Sequence, residues 1–145
     1  MQIGPFRGQY AFLSNFSLVE VQFEGQVYPT VEHAFQAAKT LDLEKRAEIA
    51  RLSCPGYAKG AGRRLRLRGD WEDVKLSVME TLLRKKFCNW RLRRMLLLTQ
   101  DHELVEFNWW HDTFWGVCDG VGENHLGKLL MKIREECRQE VQAAT

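Results

Sequence analysis

Apolar and polar side chains alternate over residues 18–28, and this period of two predicts a short β-hairpin that turns at Glu24 and Gly25. After the hairpin, the apolar spacing changes to the i, i+3, i+4, i+7 pattern of an α-helix. The new pattern predicts a helix over residues 30–41, with Thr30 as its N-cap. The apolar positions of this helix are Val31, Ala34, Phe35, Ala38 and Leu41.

Apolar periodicity predicts further helices over residues 43–52, 71–90, 92–98 and 126–140. The first must end before Pro55, because the residue before a proline avoids helical geometry. Asp70 is predicted to cap the second. Residues 99–125 are aromatic and polar without helical spacing, which is typical of a loop that can form a ligand surface. These elements predict one mainly α domain over residues 1–145, with a small β-hairpin and a marginal α+β character.

The composition is that of a folded globular domain. Hydrophobic residues make up 45% and charged residues 28% of the 145 positions, so the chain can form one core. No apolar run approaches the ~18 residues that span a bilayer, and residues 1–8 lack the features of a signal peptide. We therefore expect a cytoplasmic protein without a membrane partner. A formal charge of +2 says little about a nucleic-acid partner.

The cysteines are widely and irregularly spaced, at Cys54, Cys88, Cys118 and Cys137. There is no C-x-x-C motif and no histidine pair at metal-ligand spacing. We predict buried or half-buried free thiols, no disulfide, no metal site and no cofactor.

A polar face on the helix predicted over residues 30–41 carries the first candidate chemistry. Glu32, Gln36 and Lys39 stand at i, i+4 and i+7, so at ~100° per residue they fall within about 60° of each other. Glu32 lies in the first turn, where the helix dipole favours an ionised carboxylate. Such a group stabilises the positive charge that develops on a ribose as its glycosyl bond breaks. The alternatives are a solvated face with an ion network and a capping acid without chemistry.

A second pair of acids brackets an aromatic stretch. Glu106 and Asp112 flank Asn108 and two tryptophans, and Trp115 follows shortly afterwards. Carboxylates beside aromatic rings suit a site that stacks a flat base and handles water or a leaving nitrogen. The alternative is that the tryptophans belong to the core and the acids cap turns.

Basic residues and glycines are concentrated over residues 56–69, which include Lys59 and Arg63. Charged side chains and close backbone approach both suit phosphate, although the spacing is not that of a P-loop or a dinucleotide fingerprint. A solvated charge run is the alternative. Polar residues near the N-terminus are further candidate ligands for a sugar or phosphate, namely Arg7, Ser14 and Asn15.

Together these features resemble the YbiA-like or NADAR family over residues 6–134. The matching blocks are F-L-S-N-F at 12–16, Y-P-T-V-E-H-A-F-Q-A-A-K at 28–39, A-K-G-A-G-R at 58–63, D-W at 70–71, K-F at 86–87, L-V-E at 104–106, D-T-F-W-G-V at 112–117 and G-E-N-H-L-G at 122–127. Several long blocks in a fixed order make the resemblance specific.

The resemblance implies a mainly α, orthogonally packed domain that hydrolyses N-glycosidic bonds. Some family members look like enzymes that act on phosphoribosylamino-pyrimidine intermediates of riboflavin synthesis and release ribose 5-phosphate. Others look like enzymes that remove ADP-ribose from guanine in nucleic acid. The implied partner is therefore a small phosphoribosyl or ADP-ribosyl substrate, or an ADP-ribosylated nucleic acid. The oligomeric state stays open.

By matching position, the resemblance places Glu32, Lys39, Asp112 and Trp115 in the site, with Arg7, Ser14, Asn15 and Asn124 nearby. Two positions depart from the family pattern. Gln9 stands where an acid is common, and Phe107 stands where a small residue is expected beside Glu106. The bulky Phe107 leaves the shape of that pocket wall, and hence the choice of substrate, open.

The predicted reaction is hydrolysis, in which Glu32 stabilises the ribosyl cation or activates water. Asp112 protonates the departing nitrogen, Trp115 stacks on the base, and Arg7 with Lys59 or Arg63 holds the phosphate. In the alternative chemistry, Lys39 forms a transient imine with C1, because a glycosylamine can open its ring. A non-catalytic nucleotide-binding or nucleic-acid-binding module is the other class of protein, disfavoured because the Glu32 carboxylate would repel phosphates.

Overall fold

The structure is a computed structural model that describes residues 1–145. Six α-helices dominate it, and the predicted mainly α fold with α+β character is confirmed. The helices are α1 (Val31–Ala37), α2 (Leu43–Ala50), α3 (Pro55–Arg63), α4 (Trp71–Lys86), α5 (Trp90–Leu97) and α6 (His125–Ala143), with a 3-10 helix at Gly8–Leu13. The strands are β1 (Gln2–Ile3), β2 (Val21–Phe23), β3 (Gln26–Tyr28), β4 (Glu103–Leu104), β5 (Phe107–Asn108) and β6 (Val117–Cys118).

The chain divides into two compact units. One is the continuous segment Asn15–Lys86, and the other joins Met1–Ser14 with Phe87–Thr145. The expectation of one domain over residues 1–145 stays a prediction.

In the unit Asn15–Lys86, the predicted hairpin is confirmed. Strands β2 and β3 pair antiparallel, with Val21 opposite Tyr28 and Phe23 opposite Gln26. The turn residues Glu24 and Gly25 have φ values of 46° and 86°. Two consecutive residues with left-handed φ are what a two-residue type I′ hairpin turn requires, and this explains the glycine at position 25.

Helix α1 lies at the centre of this unit and packs against α2, α3 and α4, so all seven of its residues are buried. Thr30 caps it as predicted, accepting a hydrogen bond from the backbone N–H of His33 (3.0 Å). The His33 Nε2 donates to the carbonyl of Leu52 (3.0 Å), and its Nδ1 lies 2.7 Å from the Thr30 hydroxyl. Burial lowers the pKa of His33, in keeping with a neutral ring whose Nδ1 accepts a hydrogen bond from the Thr30 hydroxyl.

Helix α1 ends at Ala37, and the prediction that it continues to residue 41 is wrong. Tight i→i+3 bonds close its last turn, since the N–H of Lys39 donates to Gln36 and that of Thr40 to Ala37. The carbonyl of Lys39 then accepts from the N–H of Arg68 (2.8 Å). The helix is thus closed off before Leu41, which is left 63% exposed, and the Lys39 carbonyl bonds a distant segment rather than a residue further along the helix.

Helix α3 occupies the first half of the basic, glycine-containing segment over residues 56–69, where the sequence predicted no helix. Pro55 stands at its start, where a proline fits because the N–H it lacks would have no partner in the helix. The glycines of α3 disfavour a helix by intrinsic propensity. Packing against α1 outweighs this preference, since Ala58 and Gly62 are buried.

The other helix boundaries differ from the predictions by a few residues. Helix α2 ends at Ala50 rather than residue 52, and α4 begins at Trp71 as predicted but ends at Lys86 rather than residue 90. The shorter α4 is explained by Asn89, whose side chain accepts from the N–H groups of Arg91 and Leu92 and so caps α5. This cap starts α5 two residues earlier than predicted.

In the other unit, the region predicted to be loop-like contributes strands to two short parallel pairs. Strand β1 pairs with β4, and β5 pairs with β6, each over two residues. Helix α6 packs on α5 and β4, and extends beyond the predicted range 126–140 at both ends. Its apolar stripe is buried at Leu126, Leu130 and Ile133, whereas Leu129 is half-buried. The buried Arg134 of this helix donates to Thr99 Oγ1 (2.9 Å) and to the His102 carbonyl (2.9 Å).

We expect Thr30→Ala to lower the free energy of unfolding by about 1 to 3 kcal/mol. The change removes the cap on α1 and leaves the buried His33 Nδ1 without its hydroxyl partner. Thr30→Ser is the matched control, because it keeps the hydroxyl and loses only a methyl group. Urea denaturation measures the free energy of unfolding of both variants, and equal values for the Ala and Ser variants would contradict the prediction.

Candidate active site

The candidate carboxylate, Glu32, lies in the first turn of α1 and is only 8% exposed. Its backbone N–H donates to the carbonyl of Asn15 (3.1 Å). One turn later, Gln36 Nε2 donates to Glu32 Oε1 at 2.8 Å. The i, i+4 relation predicted from the sequence is therefore a direct contact between two buried side chains. The amide donor and the helix N-terminus both favour an ionised carboxylate.

Lys39 lies just beyond α1, half-buried and electrostatically coupled to Glu32. Burial is the main cause that lowers the pKa of Lys39, and Glu32 opposes it by stabilising the ammonium form. Arg63 and Lys59, both on α3, lower the pKa further by charge repulsion. The structure thus brings Glu32, Gln36, Lys39, Lys59 and Arg63 together, with Lys39 in electrostatic interaction with the carboxylate and with both basic groups of α3.

Asn15 is also buried in this unit and supplies a polar side chain close to its core. Its Nδ2 lies 3.6 Å from the sulfur of Met79, and its Oδ1 is buried without a hydrogen bond. A buried acceptor without a donor is costly, so Asn15 Oδ1 suits a hydroxyl or amine of a ligand. Its neighbour Ser14 is half-buried and ends the 3-10 helix of the other unit, donating its N–H to Ala11.

In the other unit, Asp112 and Asn108 hold the aromatic loop in shape. Asp112 Oδ1 accepts from the N–H groups of Phe114 (3.1 Å) and Trp115 (2.9 Å). The side chain of Asn108 donates to the Asp112 carbonyl (2.8 Å) and accepts from its N–H (3.0 Å). Asp112 therefore caps a turn, which was the alternative to an acid role. A direct part for either residue in the reaction stays a prediction.

The aromatic residues of this loop differ in exposure. Trp115 is half-buried, and its ring makes an edge-on contact with that of Phe114, with 4.8 Å between the ring centroids. Trp109 and Trp110 are 63% and 46% exposed, so the alternative that the tryptophans belong to the core does not hold for these two. The guanidinium of Arg7 stacks over Trp109, 3.9 Å from the ring centroid. Arg7 is thus placed beside an aromatic face.

Asn124 and Glu106 meet where α6 begins. Asn124 has a left-handed backbone (φ 54°, ψ 42°), a conformation that asparagine tolerates better than most residues. Its side chain accepts from the N–H of Glu106 (3.0 Å) and donates to the Leu104 carbonyl (2.9 Å). These bonds give Asn124 a role in positioning backbone, and substrate contact by Asn124 or the half-buried Glu106 stays a prediction. The ring of Phe107 packs closely against Gly4.

The candidate residues are therefore divided between the two units. The unit Asn15–Lys86 contains Asn15, Glu32, Gln36, Lys39, Lys59 and Arg63. The other unit contains Arg7, Ser14, Glu106, Asn108, Asp112, Trp115 and Asn124.

A buried lysine, Lys86, was not among the candidates from the sequence. It lies in the last turn of α4 at 1% exposure, and burial lowers its pKa from 10.5 to about 7. The sequence spacing does indicate that Lys86 is buried. It follows Val78 by eight residues and Leu82 by four, and so lies on the apolar stripe of α4. A lysine on such a stripe has its ammonium group drawn into the interior.

The structure contains no group of three or more His, Cys, Asp or Glu side chains placed to hold a metal ion. The cysteines are free, with Cys118 and Cys137 buried and Cys54 half-buried. Cys88 is exposed, so the prediction that all thiols are at least half-buried is wrong there. None of the helices combines the length and apolar character needed to cross a membrane.

Comparisons with known proteins agree with this fold. The sequence pattern of the NADAR domain matches residues 5–138. The chain is 44% identical over 131 residues to the N-glycosidase YbiA of Escherichia coli K12, an alignment that covers 88% of this chain and 81% of that protein. An NMR structure of E. coli YbiA superposes with a TM-score of 0.86, covering 98% of this chain and 86% of that chain at 40% identity.

Two further relatives are more distant. An N-glycosidase of Nostoc punctiforme is 39% identical over 136 residues, covering 89% of this chain and 86% of that protein. A riboflavin biosynthesis protein of Vibrio vulnificus is 36% identical over 134 residues, which are 90% of this chain but 36% of that longer protein.

The burial of Lys86 predicts a specific pH dependence of stability. Its pKa is about 7 in the folded state and near 10.5 in the unfolded chain, so between these values the unfolded state binds more protons. The free energy of unfolding therefore rises with pH across this window, by at most about 1.4 kcal/mol per pH unit. We expect Lys86→Met to remove this rise.

Urea denaturation at intervals from pH 7 to pH 10 measures the effect. Lys85→Met is the matched control, because Lys85 is the exposed neighbour on the same helix and its loss should keep the parent's slope. Parallel profiles for the parent and Lys86→Met would contradict the prediction.

Proposed function

This chain belongs to the NADAR family, and on that premise we propose that it is an N-glycosidase that cleaves the bond between an amino nitrogen and C1 of a phosphorylated ribose. Two relatives that it covers over more than four-fifths of their length are named N-glycosidases. The observation that carries the proposal is the buried Glu32 carboxylate, held by Gln36 and coupled to Lys39.

The chemistry follows from the charge of this group. Breaking a C1–N bond leaves positive charge on the ribose ring, and a buried carboxylate stabilises that charge strongly because little water screens it. The same carboxylate is suited to activate the water that adds to C1. In either role Glu32 must be ionised, and the Gln36 donor supports this state.

The basic groups near Glu32 support a phosphorylated substrate. Lys59 is half-buried and Arg63 is exposed, so both are accessible to a ligand. Cations of this kind bind phosphate, and an arginine can do so with two parallel hydrogen bonds. Their repulsion of Lys39 would be relieved by a bound phosphate dianion.

We propose a phosphoribosylamino-pyrimidine of riboflavin synthesis as the substrate and ribose 5-phosphate as a product. The relative from Vibrio vulnificus, which is named a riboflavin biosynthesis protein, supports this choice. Removal of ADP-ribose from guanine in nucleic acid is the second candidate. The exposed Trp109 and Trp110 favour it, because bases of a single strand stack on such rings.

Lys39 has two possible roles in the reaction, one covalent and one electrostatic. A lysine with a lowered pKa is more often neutral and nucleophilic, which supports a transient imine with C1 of the ring-opened sugar. In the direct hydrolysis, Lys39 acts only as a cation near Glu32 and the phosphate. Borohydride added during turnover separates the two, since it reduces an imine to a stable adduct on Lys39 and leaves no adduct in direct hydrolysis.

A side-by-side assay tests the substrate. Purified protein receives either a phosphoribosylamino-pyrimidine or a guanine oligonucleotide that carries ADP-ribose, and release of ribose 5-phosphate or ADP-ribose is measured. We expect a larger kcat/KM for the pyrimidine. A faster reaction with the oligonucleotide would select the second candidate, and binding that salt abolishes, without product from either substrate, would indicate a non-catalytic module.

We expect Glu32→Gln to lower kcat by about 10²- to 10⁴-fold, because the amide keeps the shape of the carboxylate but carries no charge and accepts no proton. Glu48→Gln on α2 is the matched control, since its side chain is 57% exposed, and this variant should retain the parent's kcat. A folded Glu32→Gln variant with more than about a tenth of the parent's kcat would exclude this role for Glu32.

A further inference from the structure

Helix α3 comes close to α1 at Gly62, which is buried against the side chain of Gln36. A Cβ atom added at Gly62 would overlap Gln36 Oε1, and would lie 2.7 Å from Gln36 Cδ and 3.1 Å from Gln36 Cβ. Real Cβ atoms do not approach other atoms in this way, so any larger residue at position 62 must displace the Gln36 side chain. Gln36 occupies its place because position 62 has no side chain.

The Gln36 amide has a defined orientation in this place. Its Nε2 donates to Glu32 Oε1 at 2.8 Å, and its Oε1 is buried over Gly62 without a hydrogen-bond partner. If the amide rotated by half a turn, its oxygen would face the Glu32 carboxylate and the two would repel. The carboxylate on one side and the Gly62 backbone on the other leave one favourable arrangement.

The other glycines of α3 have no such contact. A Cβ at Gly60 would meet only the end of the Arg64 side chain at 3.9 Å, and one at Gly56 would meet only Cys54 Sγ at 3.9 Å. Both are ordinary van der Waals distances. Glycine within a helix is intrinsically unfavourable, so a specific requirement exists at position 62 and not at position 60.

We propose that Gly62 and Gln36 are positioning residues that keep Glu32 ionised and fixed in orientation. This inference rests on the proposed function in that Glu32 is the reacting carboxylate. Gln36 acts through its hydrogen bond to Glu32, and Gly62 acts through the space it leaves for Gln36. Neither residue needs to touch the substrate for this role.

The consequence is a pH effect with a defined sign. A donor to a carboxylate stabilises the ionised form, so loss of the donor makes protonation easier and the acid limb of activity moves to higher pH. Hydrogen bonds to charged groups are strong enough that the expected shift is on the order of one to two pH units.

Two variants test this by different routes. Gly62→Ala displaces Gln36, whereas Gln36→Met removes the donor but needs no extra room at position 62. For each, we expect the ¹³C titration midpoint of the Glu32 carboxyl and the acid limb of kcat/KM to rise together. Gly60→Ala is the matched control on the same helix and should leave both unchanged. Unchanged midpoints in Gly62→Ala and Gln36→Met would overturn the proposal, even if both variants lost stability.

The double variant Gly62→Ala with Gln36→Ala separates positioning from packing. The shorter side chain at position 36 removes the overlap with Oε1 and Cδ and leaves only the 3.1 Å contact between the Cβ atoms. We expect the loss in thermal midpoint to be smaller than the sum of the losses for Gly62→Ala alone and Gln36→Ala alone. The Glu32 titration midpoint should stay raised, because the donor is still absent, and a return to the parent's value would overturn the proposal.

The two proposals fail in different ways. If Glu32→Gln keeps full activity, the reacting role of Glu32 is wrong, yet the titration midpoints still test whether Gly62 and Gln36 keep it ionised. If Glu32→Gln is inactive and the midpoints do not move, the N-glycosidase proposal stands and only the positioning role is wrong.

Discussion

The burial of a carboxylate within helix α1 is the constraint on which the rest of the site depends. An isolated ionised carboxylate in a protein interior is unfavourable, so Glu32 must have partners with complementary charge or hydrogen bonds. The structure supplies a donor from Gln36 and the nearby ammonium group of Lys39, on which Arg63 and Lys59 act in turn. Lys59 and Arg63 in turn reach this site only because α3 packs close to α1.

This requirement explains the unusual composition of α3. The helix needs small residues where it meets α1, and basic residues where it contributes positive charge near Lys39. Ala58 and Gly62 meet the first need, and Lys59 and Arg63 meet the second. The sequence of α3 therefore has a low intrinsic helix propensity, and the stability of this helix comes from tertiary packing.

In the unit that joins Met1–Ser14 with Phe87–Thr145, polar side chains have a different task. Backbone groups are the hydrogen-bond partners of the side chains of Asn108, Asp112 and Asn124. These bonds give defined shapes to chain segments that have little regular structure. The loop that they hold presents Trp109 and Trp110 to solvent. Rigid exposed rings bind flat ligands with little loss of conformational entropy, which gives such a loop a use in recognition.

Local patterns in the sequence determined the hairpin, the Thr30 cap, the start of α4 and the shared face of Glu32, Gln36 and Lys39, because each depends on residues within a few positions of one another. Tertiary structure alone decided the existence of α3, the end of α1 at Ala37 and the contact of Gly62 with Gln36. These features arise where distant segments meet and compete for the same backbone groups or space, as when Arg68 takes the carbonyl of Lys39. No periodicity along the chain encodes such a contact.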